Sequence, residues 1–429
     1  MDVLSSRIRR NKSLTTLPPT APWRRHFAAL KTAALRLLVP SVRKPLVSLD
    51  NIAVSGLFGS PTGLGQSARL CRDALLDAGY TVSLIDLCDQ FRVSGGVPVE
   101  TVDDLPQPGP GILIVHVNGP QMSRALWHIG RRVCREKLII GYWAWELEDV
   151  PPVWVDGTRY VHEVWSPSRF AATALLKATN RPVRIVPHVL RESHQPSTPP
   201  VSRASAKEAM GIPPTAFVVA YAFAMLSNFE RKNPLATIAA FKHAFGRDRN
   251  ACLILRCLDV NSYPAGLTSI MRQIYGFDNI RLYTDIKVSN DTFLRAADVY
   301  LSLHRSEGFG LTLLEAMAAG CPVIATNWSG NTDFMTAEDS LLIECQLRPV
   351  QDPQGSYQIP TALWAEPNID AAAAALRRLY DDRTCWSIMA AKARAKAERF
   401  ISESKSTLRA AITARYTEAP KIQDMPAFV

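Results

Sequence analysis

The chain has 429 residues, of which 47% are hydrophobic and 21% charged; that is enough apolar material for more than one core and excludes a mostly disordered polymer. The net charge of +10 is uneven: residues 1–49 hold ten Lys/Arg and one acid (+9), and the remainder holds 39 bases and 38 acids (+1), which leaves no basic body for nucleic acid. No run of about 18 apolar residues occurs, and the eight cysteines show neither C-x-x-C pairs nor zinc spacing, the pattern of free thiols in a reducing cytosol.

In chain order, a Ser/Thr/Pro-rich stretch runs to Pro22 and is followed by WRRHFAALKTAALRLL. Trp23, Phe27, Leu30, Ala34, Leu37 and Leu38 share one helical stripe, and Arg24, Arg25, Lys31 and Arg36 lie off it. The spacing predicts a basic amphipathic helix over 23–38, of the kind that lies on an anionic membrane surface. Packing of this helix on the protein body, or use as a targeting segment, are the alternatives. From Asn51 the text alternates. NIAVSG, TVSLIDL, GILIVHVNG, KLIIGYW, VHEVWSPS and RIVPHV read as buried strands, with helical stretches such as GLGQSARLCRDALLDAG and SRALWHIGRRVCRE between them. HQPSTPPVSRAS, residues 194–205, reads as a linker. A second series follows: AFVVAYAF, ACLILRC, IRLYTD, VYLSLHRS and PVIAT as strands, PLATIAAFKHAF and LTLLEAMAAG among the helices, and an Ala/Arg-rich helical stretch from about 370 to 415. The expected fold is α/β, two tandem Rossmann-like, doubly wound domains facing an interdomain cleft. The expected divisions are a basic arm 1–49, an N-terminal domain 50–193, the linker, a C-terminal domain 206–400 and a helix or tail 401–429.

The most informative stretch is VYLSLHRSEGFGLTLLEAMAAGCPVIAT, residues 299–326. A strand ends near Leu303, HRSEGFG forms a loop, and a helix begins at Leu311. Gly308 and Gly310 let backbone N–H groups approach a ligand, and the helix N-terminus suits an anion such as a diphosphate. Glu307 and Glu315 flank that site, and hydroxyls of a sugar nucleotide are what two carboxylates beside an anion site can accept from. Arg231 and Lys232, in FERKNPLATIAAF, directly precede a helix opened by Pro234, where two cations can clamp a pyrophosphate and stabilise a leaving phosphate.

The stretch E-G-F-G-L-T-L-L-E-A-M-A-A-G-C-P-V-I-A-T resembles the donor-site signature of the family-4 retaining glycosyltransferases, which have the GT-B fold. The resemblance implies a nucleotide diphospho-sugar donor in the C-terminal domain, an acceptor in the N-terminal domain, no cofactor and no required metal, the nucleotide sugar being a substrate. It implies that Glu307, with the backbone of Gly308, Phe309, Gly310, Leu311 and Thr312, meets the transferred hexose, and that Glu315 holds the ribose. The Gly-Arg usual before the family's Lys is replaced here by AFAMLSNF, so Arg231 is the candidate substitute.

In the N-terminal half, Gly63-x-Gly65-x-x-Ala68, with Asp86 23 positions after Gly63, approaches a dinucleotide fingerprint, but about six residues separate it from the strand end; a glycine-rich loop facing the cleft fits better. His116 follows a strand and is either a buried hydrogen-bonded histidine or a cleft residue next to the transferred sugar. Trp143, Trp145, Glu146 and Glu148 offer aromatic faces and carboxylates to an acceptor, or core packing. Ser166-Pro167-Ser168 reads as a helix cap. The expected reaction moves a hexosyl unit, mannosyl among the candidates, to a hydroxyl of a glycan or lipid-linked acceptor in surface polysaccharide assembly, on the cytoplasmic side and at the inner face of the membrane. A nucleotide-sugar epimerase of the same fold, an NAD(P)-dependent oxidoreductase and a nucleotide-binding protein without turnover are the alternatives.

Overall fold

The computed structural model describes residues 38–93, 96–99, 106–191, 202–284, 288–357 and 359–414. Residues 41–429 form one compact unit and residues 1–40 another, of which only 38–40 are described. The expected amphipathic helix therefore lies, but for Leu38, outside the described residues, as do residues 194–201 of the expected linker. Residues 203–205 of that linker open a helix, Arg203–Ala209, capped by Ser202.

Strands β1 (Ile52–Gly56), β2 (Val82–Asp86), β3 (Gly111–His116), β4 (Lys137–Tyr142), β5 (Glu163–Ser166) and β6 (Val183–Ile185) form a parallel sheet in the order β2-β1-β3-β4-β5-β6. Strands β7 (Phe217–Ala224), β8 (Ala251–Leu258), β9 (Ile280–Tyr283), β10 (Val299–Ser302), β11 (Val323–Thr326) and β12 (Leu341–Ile343) form a second, in the order β12-β11-β10-β7-β8-β9. Most of these strands are near-continuous apolar runs buried on both faces, as parallel strands covered by helices must be. The helices that matter for the site are α1 (Gly63–Asp77), α2 (Arg169–Ala178), the one-turn α3 (Phe229–Lys232), α4 (Pro234–Phe245), α5 (Leu311–Ala318) and α6 (Arg383–Thr413).

Three features depart from the sequence reading. SRALWHIGRRVCRE is not one helix, because it breaks at Gly130, whose φ of 91° is outside any helix. An antiparallel hairpin, β13 (Cys345–Pro349) and β14 (Leu363–Pro367), stands apart from both parallel sheets. The boundary expected at 400/401 falls inside α6, whose 31 residues span about 46 Å at the helical rise. Ala393, Ala397, Phe400 and Ile401 of α6 lie in the core of the second domain, while Leu408 and Ile412 lie in the core of the first with Ile52, Ile114 and Leu138. One helix thus contributes to both cores.

Candidate active site

Strand order decides which loops meet. In an open parallel sheet the ligand crevice lies beyond the carboxyl ends of two adjacent strands whose connections leave in opposite directions. In the second sheet those strands are β7 and β10. The chain leaving β7 carries Arg231 and Lys232, and the chain leaving β10 carries HRSEGFG, so two motifs some 75 residues apart share one crevice. The Arg305 N–H donates to the Arg231 carbonyl at 2.8 Å, which ties the two loops directly.

At the centre is a cluster of four charges. Glu307 receives Lys232 Nζ on Oε1 at 2.5 Å and Arg231 Nη1 on Oε2 at 3.0 Å. Glu146, from the loop after β4, stands 3.8 Å from Arg231 Nη2. Burial raises the Glu307 carboxyl, but Lys232 and Arg231, with a hydrogen bond from Lys232, overcome it and hold the group at about 2. Burial raises Glu146, and Arg231 only partly offsets it. Burial also lowers the Lys232 ammonium, against the pull of Glu307. Two carboxyls in one crevice are thereby driven apart, which is how a site assigns different roles to like groups. Arg231 is 4% exposed and also donates to the carbonyls of Ser306 (2.8 Å) and Ser227 (2.7 Å). Both terminal nitrogens of its guanidinium are committed to protein partners, whereas a phosphate clamp needs an open face.

The loop at 304–310 is shaped by its backbone. Gly310 takes φ 97° at the cap of α5, a left-handed conformation that side chains disfavour, and from there the helix starts. The N–H groups of Leu311 and Thr312 have no carbonyl one turn earlier in the helix and face outward as donors. The Phe309 ring turns inward against Phe334 (5.1 Å) and Phe400 of α6 (6.1 Å), so Phe309 offers its backbone and anchors the loop with its side chain. The Thr312 side chain is half-buried on the first turn of α5. Glu315, on the first turns of α5, is pushed up to about 7 by burial, against one hydrogen bond from Asn290 (3.1 Å).

In the first domain, the crevice between β1 and β3 places Gly56 and His116 side by side. His116 is fully buried; Nδ1 pairs with Ser67 Oγ at 2.8 Å, the ring stacks on Tyr142 at 4.5 Å, and Nε2 has no hydrogen-bond partner among the described residues. Burial, then the neighbouring His188, push its pKa well below the usual value, so the ring is neutral. Gly63 and Gly65 open α1, and Gly65 lies against the carbonyls of Ser60 and Leu57. The Asp86 carboxylate accepts from the N–H groups of Phe58 (3.0 Å) and Cys88 (3.2 Å), bracing this loop where a dinucleotide site would present it to a ribose. Trp145 is 5% exposed and packs against Trp154 (4.8 Å) and Tyr357 (5.4 Å). Trp143 is buried as well, and Glu148 is exposed.

Several residues enter the site unannounced by the sequence reading. Ser329 and Gly330 bond both backbone groups of Glu307: Glu307 N–H donates to Ser329 Oγ (2.8 Å) and Gly330 N–H donates to the Glu307 carbonyl (3.0 Å). Ser329 holds φ 78°, ψ −150°, a conformation that costs a non-glycine residue on the order of 1–3 kcal/mol. His304 bridges Ser302 and Asn331 (3.1 Å each) beneath the loop. Ser168 caps α2 through the Ala171 N–H (3.1 Å) as expected, and also donates to the Gly308 carbonyl at 2.6 Å, joining the two domains. The W-S-G-N turn at 328–331 was the available signal for the first of these; nothing local signals the contact of Ser168 with Gly308.

No group of three or more His, Cys, Asp or Glu side chains disposed to hold a metal occurs among the described residues, and no helix among them is long and apolar enough to cross a membrane. The chain has no match among curated protein sequences. Over 84% of its length it superposes on HepE of Anabaena, solved with UDP and glucose, with a TM-score of 0.60, 14% identity and 99% of that chain covered. A glycosyltransferase from Rickettsia africae superposes with a TM-score of 0.59 at 14% identity (86% of this chain, 97% of that one). Sucrose-phosphate synthase from Thermosynechococcus elongatus does so with 0.59 at 14% (86% and 98%). These likenesses establish the two-domain GT-B fold. Residues 271–400, which contain the 304–310 loop and α5, match the family model of the glycosyl transferases group 1.

Proposed function

We propose that the protein is a retaining hexosyltransferase that takes a hexosyl unit from a nucleotide diphospho-sugar and delivers it to a hydroxyl of a glycan or lipid-linked acceptor. The observation that carries this reading is Glu307: an ionised carboxylate fastened by Lys232 and Arg231 in front of the α5 N-terminus, inside the crevice the strand order creates. The solved structure of HepE with UDP and glucose supports a uridine diphospho-sugar as the first donor to try.

In this mechanism the diphosphate faces the N–H groups of Leu311 and Thr312 and takes Lys232 as its counter-ion. Lys232 then leaves Glu307 free to accept from the hexose hydroxyls, while Arg231 keeps the carboxylate in place. Retention needs no protein nucleophile here: as the glycosidic C–O bond to phosphate breaks, the departing phosphate oxygen takes the acceptor hydroxyl's proton on the same face, and the acceptor oxygen bonds to the anomeric carbon. Lys232 and the α5 terminus stabilise the charge that develops on the phosphate, so the step is proposed to need no metal. His116 presents its unpaired Nε2 to the transferred sugar. Glu315 accepts from the ribose hydroxyls.

The role of Glu315 sets a pH dependence. A carboxyl at about 7 is mostly protonated at pH 6 and mostly ionised at pH 8. Hydroxyl donors favour the ionised form, so UDP affinity falls roughly tenfold from pH 8 to pH 6 through this group. Calorimetric titration of UDP across that range, wild type beside Glu315→Gln, isolates the contribution: the variant loses the part of the slope that the nucleotide's own phosphate does not supply. Identical slopes in the two proteins take Glu315 out of the ribose site.

We further propose that residues 23–38 bring the enzyme to the inner face of the membrane, in keeping with a lipid-linked acceptor in polysaccharide assembly. Support comes from the +9 charge of residues 1–49 and the apolar stripe of the predicted helix. A chain lacking residues 1–37 leaves anionic vesicles in a flotation assay to which the full chain binds; equal binding of both removes this part of the reading.

A further inference from the structure

The four-residue helix α3, which delivers Arg231 and Lys232, cannot hold its own shape. One turn closes too few hydrogen bonds to offset the cost of starting a helix. It is also bracketed by two asparagines in the left-handed region, Asn228 at φ 73° and Asn233 at φ 50°. Its geometry is therefore set from outside. At its far end the Tyr221 hydroxyl donates to the Lys232 carbonyl, and the Arg305 N–H donates to the Arg231 carbonyl at 2.8 Å. At its near end the partners come from the connection between β13 and β14. Asp352, 124 residues further along the chain, accepts from Asn228 Nδ2 on Oδ1 at 2.6 Å. Gln354 Oε1 accepts from the Phe229 N–H at 2.6 Å, and its Nε2 donates to the Met225 carbonyl at 3.1 Å. Asp352 is itself pinned: Oδ1 also accepts from the Gln354 N–H and Oδ2 from the Tyr357 N–H, both at 2.9 Å.

We infer that Asp352 is the positioning residue for the Arg231–Lys232 pair, acting through the side-chain amide of Asn228. That amide is 2% exposed and has one acceptor end and one donor end. The Arg231 N–H, which can only donate, takes its oxygen at 3.0 Å. The Asp352 carboxylate, which can only accept, takes its nitrogen. Neither partner tolerates the flipped amide, so the carboxylate fixes which way Asn228 points and with it the cap of α3. From that cap Arg231 Nη1 reaches Glu307 Oε2 at 3.0 Å, and Lys232 Nζ reaches Oε1 at 2.5 Å. The hairpin braces the facing loop as well: Arg305 Nε donates to Glu366 of β14 at 2.8 Å, and Arg305 Nη1 donates to Glu230 of α3 at 2.9 Å. Asp352 touches none of the reacting groups; it sets where two cations stand. The consequence for donor binding rests on the transferase reading above, whereas the hold on α3 does not.

The test uses the full chain with Asn228→Asp, Asp352→Asn and the two together. Asn228→Asp still offers an oxygen to the Arg231 N–H but sets one carboxylate against another. Asp352→Asn leaves an amide that can accept from Asn228 or from the Tyr357 N–H, but not from both. In the double variant donor and acceptor trade places across the same gap. Without ligand, amide exchange at residues 229–232 quickens about fivefold in each single variant and returns to within about twofold of wild type in the double, while β7 and α4 are unaffected. UDP affinity falls about tenfold in the single variants while uridine affinity stays within about twofold, because only the diphosphate meets Lys232, and the double variant regains most of the loss. With a UDP-sugar donor, kcat falls about tenfold in the single variants at an acceptor KM held within about twofold. Equal losses for UDP and uridine, wild-type exchange in the single variants, or a double variant no better than the worse single overturns the inference. If a single variant unfolds, the double decides alone: recovered exchange and UDP affinity support the role of Asp352, and their absence overturns it. A wild type that binds no UDP, with exchange in the variants as expected, sinks the transferase reading and upholds the hold of Asp352 on α3.

Discussion

Glu307→Gln and Lys232→Ala each lower transfer by about 10²–10³ in kcat while the protein stays folded, the loss expected when one preorganised charge is withdrawn from a developing negative centre. The two losses have different origins. Lys232→Ala takes the counter-ion from the leaving phosphate and also frees Glu307, whose negative charge then sits beside the incoming diphosphate. Glu307→Gln keeps the shape of the side chain but leaves Lys232 and Arg231 without their shared carboxylate. The pH dependence of stability separates the Gln variant from a trivially misfolded one. The Glu307 carboxyl is held at about 2 in the folded chain against 4.5 ordinarily, so its contribution to stability is fully present above 4.5 and is lost as the pH falls through 2. Wild type therefore sheds this stability on the acid side, and Glu307→Gln lacks that part of the decline. Turnover rates and thermal melts between pH 3 and 8 measure both. A variant that turns over UDP-sugar at the wild-type rate removes its residue from the proposed chemistry.

The second large effect comes from a residue without chemistry of its own. Gly330→Ala costs the donor loop its shape. A Cβ at 330 would lie 2.5 Å from the Gly308 carbonyl oxygen, 2.6 Å from its carbon and 2.7 Å from the Phe309 nitrogen. All three atoms are backbone, so no side chain can swing aside, and the Gly308–Phe309 peptide must move. It moves against Ser168 Oγ, which holds the Gly308 carbonyl at 2.6 Å, and against the Phe309 ring packed on Phe334 and Phe400. Overpacking of this kind costs typically 1–3 kcal/mol, and the displaced loop carries Glu307 with it. The expected result is a modest fall in melting temperature with UDP affinity down by at least about tenfold, since the stability change and the misplacement act on the same peptide. Calorimetry and a thermal melt check this; full affinity with an unchanged melt shows that the loop tolerates the methyl group and that Gly330 is not a constraint on it.

How much of this was legible in the residues varies with the range of the interaction concerned. The strand–glycine loop–helix unit at 299–326 is local, and its order follows from an apolar run, two glycines and a helix stop. The two α/β series and their division into two sheets were readable for the same reason, because each strand announces itself within a few residues. The break at Gly130 was missed because the apolar spacing of SRALWHIGRRVCRE suits a continuous helix and a single glycine does not require a break. The β13–β14 hairpin was missed because its strand QLRP is exposed and lacks the apolar alternation of a half-buried strand. The two alternatives left for Trp145 could not be separated either: that its ring meets Tyr357 depends on a hairpin some 200 residues on.

By itself, then, the sequence determined what is set by short-range physical chemistry: where strands and helices form, that Gly310 can turn the chain into a helix N-terminus, and that two acids and two bases of suitable kind are present. The tertiary structure alone decided how those charges are used. Strand order brought Arg231 and Lys232 against Glu307, burial then committed Arg231 to Glu307 and two carbonyls, and the first domain added Glu146. Helix α6 and the hairpin, long-range elements, fixed Phe309 and Tyr357. Charge roles depend on desolvation and on partners a few ångströms away, and those distances are set by packing between segments that the linear order holds far apart.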